Sequence, residues 1–181
     1  WDIGANIGLY SIYSSIIHGS SIKIISFEPS MNNLRVLSRN ISINNLYSKI
    51  FINPIALGNN DNCYSEFHDS NFIEGSAFNH LYLKKKKLEN HNYKNRYKIF
   101  SSSIDKFIED KKQIELPNYL KIDVDGNEDL ILKGSKNLLK SSNLKEILIE
   151  IDEKDKKKYK EIIKILKNNF FIIKSINKSK F

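Results

Sequence analysis

The sequence is poor in cysteine and has no long hydrophobic run. Its single cysteine, Cys63, excludes an internal disulfide framework and fits a reducing compartment, so we expect a cytoplasmic protein. No stretch approaches the roughly 20 apolar residues that a membrane-spanning helix needs, so no membrane span is predicted. The histidines, the cysteine and the carboxylates show no spacing typical of a zinc site, and no metal is predicted.

The chain also has no initiator methionine and no signal or transit peptide. It opens within what should be its first strand, so we expect a truncated N-terminus, and a targeting signal could have been lost with it. The 181 residues fit one domain over 1–181, large enough for its own core. With 40% hydrophobic and 11% aromatic residues, wholesale disorder is excluded.

Basic residues outnumber acidic ones, 29 to 21, which gives a formal net charge of +8. Such a charge could indicate an anionic partner, such as nucleic acid or a membrane surface. The lysines, however, occur in most segments rather than on one arginine-rich element. A general compositional bias explains the charge, and no nucleic-acid partner is predicted.

The first eight residues, WDIGANIG, read as the end of a buried strand, a glycine-bearing turn and the start of a helix. Such a turn brings backbone N–H groups next to a ligand at a helix N-terminus. Glu28 follows Gly8 by 20 residues, at the end of the next apolar run. An acidic residue at the tip of a second strand suits the two hydroxyls of a ribose. The pattern predicts a nucleoside-binding switch point in an α/β sheet.

Strands and helices alternate over most of the chain. Leu9, Ile12, Tyr13 and Ile16 fall at helical spacing after the first turn. Strands are predicted at 22–27, 50–57, 119–124, 145–151 and 170–176, and helices at 9–18, 31–45, 128–140 and 153–169, with a short helix after Ser103. This order predicts an α/β fold, doubly wound, with a mostly parallel sheet and helices on both faces.

Residues 62–100 interrupt the alternation. Strands are expected at 63–68 and 96–100, but the middle is polar and carries four consecutive lysines at 84–87. A run of like charges usually marks a solvated loop. We interpret the segment as a variable insert, and the alternative is a landing site for an anionic acceptor.

Four motifs in order resemble those of the FkbM-type family of class I S-adenosylmethionine-dependent methyltransferases. The family's DxGANxG turn corresponds to residues 2–8, its FEP strand end to 27–29, its N…ALG to 53–58 and its KIDVEGxE to 121–128. The likeness extends from residue 1 to about residue 151. Two departures are the aspartate at Asp125, where the family has glutamate, and residues 62–100, which match nothing in the family pattern.

The resemblance implies S-adenosylmethionine as the methyl donor and a Rossmann-like fold. Carried over residue by residue, it implies these contacts with the donor: Asp2, Gly4, Asn6 and Gly8 at its methionine part, Glu28 at its ribose, and Ala56 and Leu57 at its adenine.

Methyl transfer to an alcohol also needs a base within hydrogen-bond reach of the hydroxyl. Asp123 is the first catalytic candidate and Asp125 the second, followed by Glu128 and Glu150. The alternative for Asp123 is capping of the following helix, and for Glu128 a favourable charge in a helix first turn. Strand-end carboxylates could also hold Mg²⁺, but they are common without metal.

The sequence therefore predicts a methyltransferase, and the family implies O-methylation of a hydroxyl on a sugar, glycan or glycosylated metabolite. The expected partner is a small-molecule or glycan acceptor with a free hydroxyl. A nicotinamide-dependent oxidoreductase is one rival, but it needs G-x-G-x-x-G, and Asn6 stands where the second glycine should be. The second rival is a non-catalytic basic binding module, which does not explain why Asp2 and Glu28 both stand at strand ends beside the glycine turn.

Overall fold

The computed structural model describes residues 1–69, 74–75, 80–82, 95–111 and 114–177. Five strands form a wholly parallel sheet in the order β3-β2-β1-β8-β9. These strands are β1 (Asp2–Ile3), β2 (Ile24–Phe27), β3 (Ile50–Asn53), β8 (Tyr119–Ile122) and β9 (Glu146–Ile149). The helices are α1 (Leu9–His18), α2 (Met31–Ile43), α3 (Ile104–Asp110), α4 (Glu128–Lys133) and α5 (Lys156–Asn168). The predicted doubly wound α/β fold is confirmed.

Helices cover both faces of this sheet. On one face Ile3, Phe27 and Ile122 are in register on neighbouring strands and pack with Phe107 of α3, Ile131 of α4 and Ile162 of α5. On the other face α2 packs Leu37 and Ile41 against Ile24 and Ile50. Burial of each such side chain stabilises the fold by about 1.5–3 kcal/mol.

The predicted third strand, 50–57, was wrong as a single element. The chain forms β3 and then β4 (Ala56–Gly58), which belong to different sheets. Pro54 lies between them and has no N–H to donate to a sheet ladder. The N–H of Ile55 turns back to the carbonyl of Asn53 at 2.9 Å, so the chain bends out of the first sheet at this point.

A second sheet has the order β4-β7-β5-β6, with β5 (Cys63–Asp69), β6 (His80–Tyr82) and β7 (Asn95–Ser103). The strands predicted at 63–68 and 96–100 are therefore confirmed, and they pair antiparallel with each other. The lysine run at 84–87 lies outside the described residues, so its interpretation stays a prediction.

Two predicted elements were wrong near the end of the chain. The helix predicted at 128–140 ends at Lys133, and Leu138–Lys140 form a separate 3-10 turn; at Gly134 the backbone lies directly against β4, since a Cβ there would be 2.1 Å from the carbonyl oxygen of Gly58. The strand predicted at 170–176 is irregular chain, with Phe170 and Ile172 exposed to 94% and 90%. A strand needs the hydrogen bonds of a neighbouring strand. Within the described part of the chain, this segment pairs with no other strand.

The predicted helix at 9–18 is confirmed as α1, but of its apolar side chains only Ile12 packs against the core and most of the others face outward. Leu9, Tyr13 and Ile16 are 73%, 64% and 60% exposed. The buried face carries the small residues Ser11 and Ser15 instead. An apolar stripe at helical spacing usually faces the core; here the small serines let α1 lie close to the strand ends. No helix among the described residues is long and apolar enough to span a membrane.

Candidate active site

Most of the predicted site residues lie where β1, β2 and β8 end at the centre of the parallel sheet, whereas Ala56 and Leu57 lie in the second sheet. Strands β1 and β8 are neighbours, and the chain leaves them in opposite directions, through α1 to β2 and through α4 to β9. Parallel α/β sheets bind their ligands in the crevice at the carboxyl ends of such a pair. The turn at residues 4–8 follows β1, and Asp123 follows β8.

The turn after β1 comes so close to β8 that its first glycine cannot be replaced without movement. Gly4 has a φ of +76°, and a Cβ there would lie 1.8 Å from the carbonyl oxygen of Asp123. Asn6 has a φ of +52°, a conformation that asparagine tolerates better than most residues. The N–H groups of Gly4 and Ala5 both donate to the carbonyl of Phe27 at 3.0 Å, which fixes the turn to β2.

Gly8 ends the turn and begins α1. It has a φ of +90°, and a Cβ there would lie 2.4 Å from Cδ1 of Leu37 on α2. The absence of a side chain therefore lets α1 start directly against α2. The two predicted glycine positions both have backbone conformations that favour glycine.

Glu28 lies at the end of β2 and is tied to the turn. Its Oε2 accepts the N–H of Asn6 at 2.8 Å, and its Oε1 accepts the N–H of Ser30 at 2.8 Å. The residue is only 4% exposed. Burial raises the pKa of Glu28 to about 7, although the amide donors pull the pKa down. Oε1 also accepts a longer hydrogen bond from Nδ2 of Asn33 at 3.5 Å, whereas Oε2 keeps a further acceptor position.

Asp2 is buried underneath the turn. Its Oδ2 accepts a hydrogen bond from the hydroxyl of Ser11 at 2.7 Å, and its Oδ1 lies 3.1 Å from Nζ of Lys121. Ser11 in turn shares a hydrogen bond with Ser26 at 2.8 Å. Asp2 therefore supports the turn from below through α1 and β8, whereas Glu28 holds it from the side.

Ala56 and Leu57, predicted at the adenine, lie in β4. Both are buried and pair with Ser101 and Ser102 of β7. Leu57 is also part of the main hydrophobic core.

Four carboxylates gather where β8 and β9 end: Asp123, Asp125, Glu128 and Glu150. A hydrogen bond with Asp123 and repulsion from its charge raise the pKa of Glu150 to about 7, and Asp125 and Glu128 add to the effect. The Glu150 carboxyl group therefore keeps its proton to near neutral pH beside Asp123.

Asp125 and Glu128 belong to the turn that leads into α4. Asp125 has a φ of +53°, a region in which aspartate is enriched. Glu128 is buried and accepts the N–H of Gly126 at 2.8 Å. The second catalytic candidate, Asp125, is itself exposed.

A family model described as "Methyltransferase FkbM domain" matches residues 2–173, nearly the whole chain. The chain belongs to the FkbM methyltransferase family. Its fold is similar to the crystal structure of methyltransferase FkbM from Methylobacillus flagellatus KT, with a TM-score of 0.56 and 17% identity over 93% of this chain. The match covers 35% of the length of that protein. No curated protein matches the chain.

Family membership implies a methyl donor, and the residues of this FkbM domain fit an adenosyl donor. The buried carboxyl group of Glu28 lies at the tip of the second strand, where a ribose would reach it. Gly4 has no side chain, so the backbone of the turn is open to close approach there. Oδ1 of Asn6 is buried and has no hydrogen-bond partner among the described residues, so it is an acceptor at the tip of the turn that a ligand could use.

Lys121 is the site residue that sequence reasoning missed. It lies in β8 directly beside Asp2 of β1 in the sheet register. Its Nζ donates to the carbonyl oxygen of Gly4 at 2.8 Å and lies 3.4 Å from Oδ2 of Asp123. The available signal was a lysine within an apolar strand, two residues before Asp123, because period-two spacing puts both on one face.

The insert also contributes to the site in a way that no motif indicated. Gly75 lies beside the turn: its N–H donates to Oδ1 of Asn33 at 3.0 Å, and its carbonyl accepts from Nδ2 of Asn6 at 3.4 Å. Over the described ranges, no group of three or more His, Cys, Asp or Glu side chains is arranged to hold a metal ion.

Proposed function

We propose that this chain is an S-adenosylmethionine-dependent O-methyltransferase domain that acts on a hydroxyl of a sugar, glycan or glycosylated metabolite. The observation that carries the proposal is the buried carboxyl group of Glu28. It accepts the N–H of Asn6 at 2.8 Å and so joins the tip of β2 to the glycine turn at the switch point of the sheet. Membership of the FkbM family supports the same chemistry.

In this proposal the turn at residues 4–8 and Glu28 bind the donor. Glu28 accepts hydrogen bonds from the two ribose hydroxyls, because its Oε2 keeps an acceptor position beside the amide of Asn6 and the contact of Asn33 with Oε1, at 3.5 Å, is long enough to be displaced. Gly4 and Gly8 let the backbone approach the methionine part, and Asn6 offers its amide oxygen. Ala56 and Leu57 are proposed at the adenine through their position after β3.

The acceptor hydroxyl lies on the other side of the donor, at Asp123. S-adenosylmethionine supplies a methyl group on a positively charged sulfur, and that sulfur keeps the bonding electron pair when the methyl carbon bonds to the acceptor oxygen. Asp123 takes the hydroxyl proton as the new C–O bond forms. Asp125, on the adjacent turn, is the second candidate for this role. A small-molecule or glycan acceptor with a free hydroxyl completes the reaction.

Isothermal titration calorimetry with S-adenosylmethionine and with NAD tests the donor. We expect heat of binding with S-adenosylmethionine and none with NAD. Binding of NAD alone would favour the rival oxidoreductase, and binding of neither would favour a non-catalytic module. Glu28→Ala should abolish the binding of S-adenosylmethionine while circular dichroism shows the fold unchanged; full affinity in this variant would contradict the ribose contact.

The acceptor class requires an activity measurement. A version of the chain extended at both ends is incubated with methyl-labelled donor and a panel of hydroxylated acceptors: sugars, glycans and glycosylated metabolites, with amines and thiols for comparison. We expect label on sugar hydroxyls. Label only on amines or thiols would overturn O-methylation while leaving the donor site intact.

A further inference from the structure

Lys121 occupies a position between the donor turn and the carboxylate pair. Its side chain is only 12% exposed. Its Nζ touches three oxygens: the Gly4 carbonyl at 2.8 Å, Oδ1 of Asp2 at 3.1 Å and Oδ2 of Asp123 at 3.4 Å. It also lies 5.1 Å from the ring centre of Tyr10, a distance at which a cation is attracted to an aromatic ring.

The three oxygen contacts have different roles. Asp2 is buried, so its contact with Lys121 is a buried ion pair that would be costly to break from one side. The carbonyl of Gly4 belongs to the turn. The Asp123 side chain is 36% exposed and opens toward the cleft. A single ammonium group therefore holds the proposed base in a fixed position relative to the turn.

The surroundings of Asp123 are otherwise acidic. The titratable groups around the pair are Asp2 from β1, Tyr10 from α1, Lys121 from β8, Asp125 and Glu128 from the turn and α4, and Glu150 from the end of β9. Lys158 of α5 bonds to the backbone carbonyl of Gly126 at 2.6 Å. Lys121 is at ion-pair distance from Asp123, and Glu150 is hydrogen-bonded to Asp123.

We propose that Lys121 is a positioning residue that keeps Asp123 ionised and directed at the cleft, and so leaves the proton of the pair on Glu150. The asymmetry follows from the geometry, because a cation 3.4 Å from one carboxylate favours the charged form of that carboxylate over its neighbour. The role in catalysis rests on the proposed function; the placement of the proton does not.

Carbon-13 NMR of labelled aspartate and glutamate carboxyl groups tests this without donor or acceptor. The two signals are assigned with Asp123→Asn and Glu150→Gln. In the wild-type chain we expect Asp123 to lose its proton first and Glu150 to keep the proton to higher pH. The opposite order would overturn the proposal, and this measurement needs no lysine variant to fold.

Variants of Lys121 sharpen the test. Lys121→Met should move the first deprotonation of the pair to higher pH by about one unit or more, whereas Lys121→Arg, which keeps the charge, should stay within a few tenths of wild type. Lys133→Met is the matched control, because Lys133 is a partly buried lysine that pairs with Asp129 and Glu161 instead. An unchanged titration in folded Lys121→Met would overturn the proposal.

Turnover gives the second readout. The acid limb of the pH dependence of kcat/KM should move to higher pH in Lys121→Met and stay in place in Lys121→Arg and Lys133→Met. If the chain methylates none of the acceptors, the proposed function fails while the carboxyl titration still decides the role of Lys121. If it methylates them with an acid limb that Lys121→Met leaves in place, the proposal on Lys121 fails alone.

Discussion

Among single residues, Glu28 combines an ionisable group with nearly complete burial. It is almost completely buried, yet its two oxygens accept two backbone N–H groups. Burial dominates, since the pKa is raised to about 7. In the proposed ribose contact, a carboxyl group that titrates at this pH couples donor binding to protonation, because the ionised form accepts on both oxygens, whereas the protonated form carries a donor on one of them.

Affinity for S-adenosylmethionine should therefore rise with pH. Below the pKa of about 7, each unit of pH is expected to change the dissociation constant about tenfold, and above the pKa the curve should level off. Calorimetric titrations between about pH 5.5 and 8 measure it. A dissociation constant that stays constant across this range in the wild-type chain would contradict the ribose contact of Glu28.

Asp123 can be tested separately from donor binding. Asp123→Asn removes the proton acceptor but keeps the shape, so turnover should fall by about 100-fold or more, while the dissociation constant for the donor changes much less. Steady-state kinetics and calorimetry on the same preparation give both values. Asp125→Asn is the comparison, and an unaltered kcat in Asp123→Asn would assign the base to another carboxylate.

At the scale of elements, the turn between β1 and α1 can lie against β8 because Gly4 has no Cβ. Gly4 and Gly19 both have positive φ, +76° and +59°, but a Cβ on Gly4 would meet the Asp123 carbonyl at 1.8 Å, whereas a Cβ on Gly19 meets nothing within 4 Å. Substitution of Gly19 therefore tests backbone strain alone, whereas substitution of Gly4 tests backbone strain together with steric overlap.

Gly19 has φ +59° and ψ −125°, a backbone conformation that residues with a Cβ rarely adopt, so Gly19→Ala should cost about 1–3 kcal/mol of unfolding free energy through backbone strain alone. Gly4→Ala should cost clearly more than this, because the turn must also move away from β8, and donor binding should be lost with it. Chemical denaturation and calorimetry measure the two effects. Equal destabilisation by the two substitutions would show that the close approach to Asp123 does not constrain the turn.

On the scale of the whole molecule, the same carboxyl group makes stability depend on pH. The pKa of Glu28 is raised from 4.5 to about 7 in the folded chain. Between these values the folded state binds more protons than the unfolded state, so this group lowers the unfolding free energy as pH rises and leaves it unaffected below the lower value. Stability without donor and affinity for donor therefore change in opposite directions.

The wild-type chain should lose up to about 3 kcal/mol of stability between pH 4.5 and 7 through this group. The Gln side chain in Glu28→Gln cannot ionise. The unfolding free energy of this variant should therefore rise relative to that of the wild-type chain as pH increases over the same range. Urea denaturation at a series of pH values measures the difference. A difference that is independent of pH would show that Glu28 titrates alike in the folded and unfolded chain.

Local patterns determined much of this fold. The alternation of apolar runs and amphipathic helices predicted all five strands of the parallel sheet, because a buried strand must be apolar on both faces and each crossover needs a helix. The same patterns gave wrong lengths wherever a distant contact intervened. Helix α4 ends at Gly134, where the backbone packs against Gly58 of the second sheet, and the segment 170–176 remains irregular because apolar composition does not supply a pairing partner.

The sequence by itself placed the glycine turn, Glu28 and Asp123 at strand ends, since their neighbours in the chain specify where each strand stops. Only the tertiary structure decided what these groups do to one another. Lys121 meets Asp2 because β1 and β8 align in register, and Asp123 meets Glu150 because β9 lies beside β8. Electrostatic interactions depend on distance in space, and no spacing along the chain encodes the distance between two strands joined by a crossover.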